Sequence, residues 1–195
     1  MGGKSRRFGR DKLREPLGNS GMVLVQRPIE VLRAIFGRRV CLVGECDPSI
    51  VPLADGVIPD EHPGVGPIGG IASALTFWGG PVFVLAGDMP GFETVDGWNI
   101  LSVALEHPDC LAVLGATDRV HPCAGYYATA ALPVLSDCLA RGKYRLTTAV
   151  PECAMRSVAV AADSMINVNV PGAISELPVD LCADIDALGH RENPA

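Results

Sequence analysis

Five short apolar runs alternate with four stretches of helical pattern along the chain, and that alternation restricts the fold more than any other feature. The runs lie at 39–43 (RVCLV), 81–87 (PVFVLAG), 110–115 (CLAVLG), 123–127 and 166–170, and most are apolar at nearly every position. Strands of a largely parallel sheet look like this when helices bury both of its faces. Between the runs the pattern predicts helices at about 28–36, 70–78, 95–106 and 130–141. Pro28 suits a first helical turn, where its missing amide hydrogen costs nothing, and Gly142 suits a C-terminal cap. The expectation is an α/β layer fold with mostly parallel crossovers. In such folds ligands sit beyond the carboxyl ends of the strands, so the residues just after each run should carry the chemistry.

Composition removes several classes of function. A chain of 195 residues fits one domain, read as 1–183 with a C-terminal tail at 184–195. Its 16 basic against 22 acidic side chains leave a net charge of -6, which argues against nucleic acid as a partner. No apolar run approaches the 18 or so residues of a membrane helix. The opening MGGKSRRFGRDK is basic, yet Asp11, Lys12, Arg14 and Glu15 follow where a signal peptide needs an apolar stretch. Seven cysteines are scattered without a CxxC pair, so zinc and redox motifs are missing and a reducing cytoplasm is the plain expectation.

Four segments have residue types suited to binding phosphate, a base or a metal. In the first, Gly2 and Gly3 let backbone amides approach an anion, and Lys4, Arg6, Arg7, Arg10 and Lys12 supply charge; the alternative is a loose basic chain end. The second, 59–70 (PDEHPGVGPIGG), makes a stiff loop before a helix, with Asp60 as an acceptor for a base or ribose; the alternative is a plain connection. The third, LAGDMP, places Asp88 at the end of an apolar strand, where a carboxylate holds Mg2+ or else caps the next segment. The fourth, INVNVP, sets Asn167 and Asn169 on one face of an extended segment, unless both belong to a turn. His121-Pro122 before an apolar run reads as a loop residue more readily than as a general base.

Taken in order, these segments resemble the molybdenum cofactor guanylyltransferases, the MobA-like nucleotidyltransferases. GGKSRRFGRDK resembles their glycine-rich signature, PDEHPGVGPIGG their base-proximal loop, LAGDMP their metal aspartate and NVNVP their asparagine motif; HP and the Gly142–Arg145 spacing also match. The resemblance implies a Rossmann-like, three-layer nucleotidyltransferase fold of the GT-A type. It also implies Mg2+-dependent transfer of GMP from GTP to the phosphate of molybdopterin, with release of pyrophosphate. Carried over residue by residue, Gly2, Gly3 and Lys12 bind the triphosphate, Asp60 the guanosine, Asp88 the metal and Asn167 and Asn169 the acceptor. Arg6 joins Lys12 and Asp88 in the catalytic set, with Arg7 as a further phosphate ligand.

Rivals within the superfamily are a cytidylyltransferase and a sugar-phosphate nucleotidylyltransferase. Outside it stands a noncatalytic accessory protein that binds nucleotide or molybdopterin and hands it to a molybdoenzyme or cofactor-insertion protein. Members of the family open on an apolar strand running into the glycines, whereas here Gly2 follows Met1 directly. The expected sheet is therefore short of its first strand, with an upstream extension of roughly eight residues in the native protein.

Overall fold

The computed structural model describes residues 12–17 and 21–166. Its strands are β1 (Cys41–Val43), β2 (Gly56–Ile58), β3 (Val82–Leu85), β4 (Ala112–Ala116), β5 (Val120–Tyr127) and β6 (Met155–Ala159), and its helices are α1 (Gln26–Phe36), α2 (Pro67–Trp78), α3 (Thr94–Glu106) and α4 (Leu132–Ala140). All four expected helices form within a few residues of their expected bounds. Pro28 lies in the first turn of α1. Gly142 (φ 69°) closes α4, with its amide donating to Leu139 O and that of Lys143 to Cys138 O; this doubled bond pattern caps orphan carbonyls at a left-handed glycine.

The strands make two sheets. One is the parallel pair β1–β2, and the other runs β3-β5-β4-β6. Pairing of β4 with β6 is parallel, while β5 runs antiparallel to both β3 and β4. The α/β expectation holds, but β5 departs from the parallel pattern because only residues 117–119 separate it from β4. A parallel return needs a crossover of a dozen residues or more. Strands β2 and β6 escaped the sequence reading: the first is three residues beginning with Gly56, and the second, MRSVA, is a half-exposed edge. Of the run expected at 166–170, Ile166 is outside any strand, and 167–170 lie outside the described residues.

Side-chain alternation sorts the core into layers. Ala112 and Leu114 of β4 turn toward α2 and α4, where they meet Ile68, Ile71, Leu75 and Leu135. Val113, between them, turns the other way toward Val31 of α1 and Ile100 and Ala104 of α3. Ile68, Leu75, Ile100 and Leu135 are fully enclosed, and each such side chain contributes about 1.5–3 kcal/mol through burial. Helix α2 packs against β1, β2 and β3 and so carries both sheets. Among the described residues no strand joins β1 to β3, and no helix is long and apolar enough to cross a membrane.

Candidate active site

Because β3, β4 and β6 point one way and β5 the other, the carboxyl ends of the first three share an edge with the start of β5. Asp88 lies on that edge, three residues beyond β3. Buried Met89 and Phe92 anchor its loop from below. Capping, the alternative role for Asp88, is not what it does for α3: Glu93 takes that part, in a reciprocal box in which Glu93 N donates to Asp96 Oδ2. Instead Asp88 Oδ2 accepts from Lys12 Nζ in a part-buried ion pair, the two side chains being 17% and 19% exposed. Lys12 is presented by a short turn, Lys12–Arg14, whose Leu13 is buried with Val25, Ile29, Val40 and Leu42.

The edge therefore brings together two of the residues singled out in the sequence, 76 positions apart. A lone carboxylate with a lysine beside it, at a strand's carboxyl end, suits Mg2+, which takes one or two protein carboxylates and fills its remaining positions with water and substrate phosphates. Among the described residues no group of three or more His, Cys, Asp or Glu is placed to hold a metal by itself. Cys123 stands beside this edge, with Ala86 N donating to its carbonyl at 2.8 Å. Burial, and secondarily the Asp88 carboxylate, push its thiol up to about 11, which disfavours the thiolate, the nucleophilic form.

Asp60 lies two residues beyond β2. Its Oδ1 accepts from His62 N at 2.9 Å; Ser73 Oγ, 3.5 Å from that oxygen, accepts from Glu61 N at 2.9 Å and donates to Gly69 O at 2.9 Å. One carboxylate oxygen of Asp60 thus shapes its own loop. The loop folds back on α2 because Gly69 lacks a side chain: a Cβ there would lie 2.7 Å from His62 O and 2.8 Å from Val65 Cγ2. Gly64 and Gly66 turn it through φ of 87° and 86°, which favour glycine. Gly69 lay within the segment singled out in the sequence, but Ser73, one turn further along α2, did not.

A second close approach lies on the Asp88 side. At Gly91 a Cβ would be 2.2 Å from Asp163 O, and at Gly115 one would be 2.6 Å from Met165 Cε. The turn Asp163–Met165 after β6 is thereby seated against the Asp88 loop, with Ser164 and Met165 buried. Gly2, Gly3, Arg6, Arg7, Asn167 and Asn169 lie outside the described residues. His121, treated as a loop residue in the sequence, is instead a buried member of β5 on the shared edge, with Nε2 2.9 Å from Thr117 Oγ1.

Comparison with known proteins agrees with this architecture. Residues 1–155 match the sequence model of a family described as the MobA-like NTP transferase domain. A protein of Opitutus terrae named probable molybdenum cofactor guanylyltransferase is 32% identical over 149 residues, covering 73% of this chain and 70% of that one. One of the same name from Chloroflexus aggregans is 29% identical over 191 residues, covering 87% and 86%. Among solved structures, molybdopterin-guanine dinucleotide biosynthesis protein A of Archaeoglobus fulgidus superposes with a TM-score of 0.70 at 24% identity, covering 94% of this chain and 96% of that one, a likeness of fold.

Proposed function

The chain belongs to the MobA-like NTP transferase domain family, and from that premise we propose that it transfers GMP from GTP to the phosphate of molybdopterin, with release of pyrophosphate. The observation that carries the reading is the Lys12–Asp88 pair at the carboxyl edge of β3; the glycine-built Asp60 loop after β2 supports it.

The chemistry needs little more than position and charge. An oxygen of the acceptor phosphate bonds to the α-phosphorus, the bond from that phosphorus to the bridging oxygen breaks, and pyrophosphate leaves with the electron pair. Several negative charges meet in that step, so neutralisation matters more than a nucleophilic side chain. In this reading Lys12 turns from Asp88 to the triphosphate. Asp88 would then be the carboxylate that holds Mg2+, which would supply Lewis-acid charge to the phosphates. Arg6, Arg7 and the amides of Gly2 and Gly3 complete the triphosphate cradle, and Asn167 and Asn169 hold the acceptor. The free oxygen of Asp60 faces the guanine or its ribose, and base choice rests on a few hydrogen bonds of this loop. We place the reaction in the cytoplasm, with a molybdoenzyme or insertion protein as recipient of the dinucleotide.

A thermal-stabilisation panel of the four ribonucleoside triphosphates with Mg2+ tests the donor, since a ligand bound only by the native state raises its stability. GTP should stabilise most, and pyrophosphate should appear only when molybdenum cofactor is added. Stabilisation by CTP alone would move the chain to the cytidylyl branch; cofactor binding without triphosphate binding would make it a carrier.

A further inference from the structure

The contacts of the buried histidine of β5 bear on its tautomer, and a proton count follows them. Thr117 lies one residue beyond β4, and its hydroxyl contacts Asp118 Oδ1 at 2.9 Å and His121 Nε2 at 2.9 Å. A threonine hydroxyl has one proton. Asp118, whose carboxyl is held below its ordinary value first by the Thr117 hydroxyl, is an ionised acceptor and takes that proton. The second contact is then a hydrogen bond only if Nε2 carries hydrogen and donates to Thr117. Burial, helped by the Arg119 guanidinium and opposed by Asp118, lowers the affinity of His121 for a second proton. Nδ1 is therefore left with an open lone pair.

Among the described residues that lone pair is not spent. No second hydrogen bond of the ring is made among the described residues, and the one side-chain atom there that is both sealed from solvent and without a partner is Arg27 Nε. The location is also informative. Pairing of Leu85 with Ala124, continued by the Ala86–Cys123 bond, brings the start of β5 alongside the Asp88 loop. The Asp60 loop follows β2, in the other sheet. With the nucleoside over Asp60 and the triphosphate at Lys12 and Asp88, the acceptor has the β5–β4–β6 side left to it.

We infer that His121 Nδ1, held unprotonated by the Thr117–Asp118 relay, is the hydrogen-bond acceptor for an N–H donor on the heterocycle of the acceptor substrate. A pterin ring carries such donors in its lactam and amino groups. A general-base role has no work to do here, because an acceptor phosphate is already ionised near neutral pH. The inference rests on the guanylyl-transfer reading for the identity of the heterocycle, but not for the tautomer.

Nitrogen-15 NMR of the full chain at neutral pH should show His121 as the Nε2–H tautomer with Nδ1 unprotonated. The probe for binding is 6-hydroxymethylpterin, titrated by fluorescence. His121→Gln keeps a donor for Thr117 but has no acceptor at the position of Nδ1, its amide oxygen lying elsewhere, so affinity should fall about three- to tenfold, the range of one hydrogen bond, with stabilisation by GTP unchanged. Thr117→Val leaves the ring in place and releases the tautomer, and should give a smaller loss together with a shifted NMR signature. An Nδ1–H tautomer, no pterin binding by the parent chain, or equal affinity in parent and His121→Gln each overturns the inference. If GTP fails to stabilise the parent chain while pterin binding tracks His121, the donor assignment falls and His121 stands; the reverse pattern leaves the donor and removes His121.

Discussion

Lys12 Nζ donates to Asp88 Oδ2 across 76 residues of chain, and the pair joins the N-terminal turn to the loop that follows β3. Both side chains are more than four-fifths buried, so neither partner is readily compensated by water when the other is removed. Asp88→Ala should cost about 2 kcal/mol, roughly 4–8 °C in melting temperature for a chain of this size. Turnover should fall at least about a hundredfold for Lys12→Ala and Asp88→Ala alike, the usual loss when a charge-stabilising group is removed. GTP-dependent pyrophosphate release beside a melting curve checks both. Full activity in either variant would remove the pair from the site.

Gly69 distinguishes local from global effects. Alanine in a helix interior is worth about 1 kcal/mol over glycine, so Gly69→Ala would ordinarily stabilise α2. Here the new methyl meets His62 O at 2.7 Å and Val65 Cγ2 at 2.8 Å, and the loop bearing Asp60 must move away. Overall stability should change little, as helix propensity offsets strain, while GTP affinity falls about tenfold. Calorimetric titration with Mg2+-GTP reads this; unchanged affinity would separate the Asp60 loop from the nucleotide.

Gly91 should be far less tolerant. A Cβ there falls 2.2 Å from the backbone oxygen of Asp163, and backbone cannot swing aside as a side chain does. Gly91→Ala should lose about 1–3 kcal/mol or more by overpacking, and should raise the acceptor KM more than the GTP KM by displacing the turn Asp163–Met165. Gly80→Ala is the control, since its Cβ would meet nothing closer than Trp78 O at 3.8 Å. Urea unfolding of the two variants side by side should show a loss for Gly91→Ala alone.

Burial lowers the His121 pKa below its ordinary 6.5. In the unfolded chain the imidazole takes up a proton as pH falls through that value, while in the folded chain it resists. The unfolded state then binds more protons, so the contribution of His121 to stability is complete above about pH 6.5 and is lost as pH falls toward the folded-state value. A second loss should follow below the ordinary carboxyl value of 3.8, where Asp47, Asp55 and Asp118, all lowered in the fold, take up protons. Melting temperatures between pH 5 and 8 should decline on the acid side for the parent chain and less for His121→Gln.

Much of the site was legible in the sequence because its residues obey local rules. Asp88 announces itself as a charge at the end of an apolar strand, and the glycines of the Asp60 loop mark a backbone that must turn sharply. His121 was misread for an equally local reason. A histidine before proline looks like loop, and nothing nearby in sequence shows that β5 begins one residue earlier or that Thr117 will contact the ring. Gly91 and Gly115 gave no warning either, since the atoms that fill the space beside them belong to Asp163 and Met165, some 50 to 70 residues later.

The sequence by itself determined the layers, the helices and the family, because apolar periodicity, capping glycines and ordered motifs act over a few residues and survive any arrangement of the whole. Tertiary structure decided which charges meet. Strand β5 runs antiparallel because its link to β4 is too short to cross over, and that reversal brings His121 to the edge that holds Asp88. The Lys12–Asp88 contact likewise exists only once Leu13 is buried and β3 is in place, since Coulomb attraction falls with distance and is strong only where packing has removed the water.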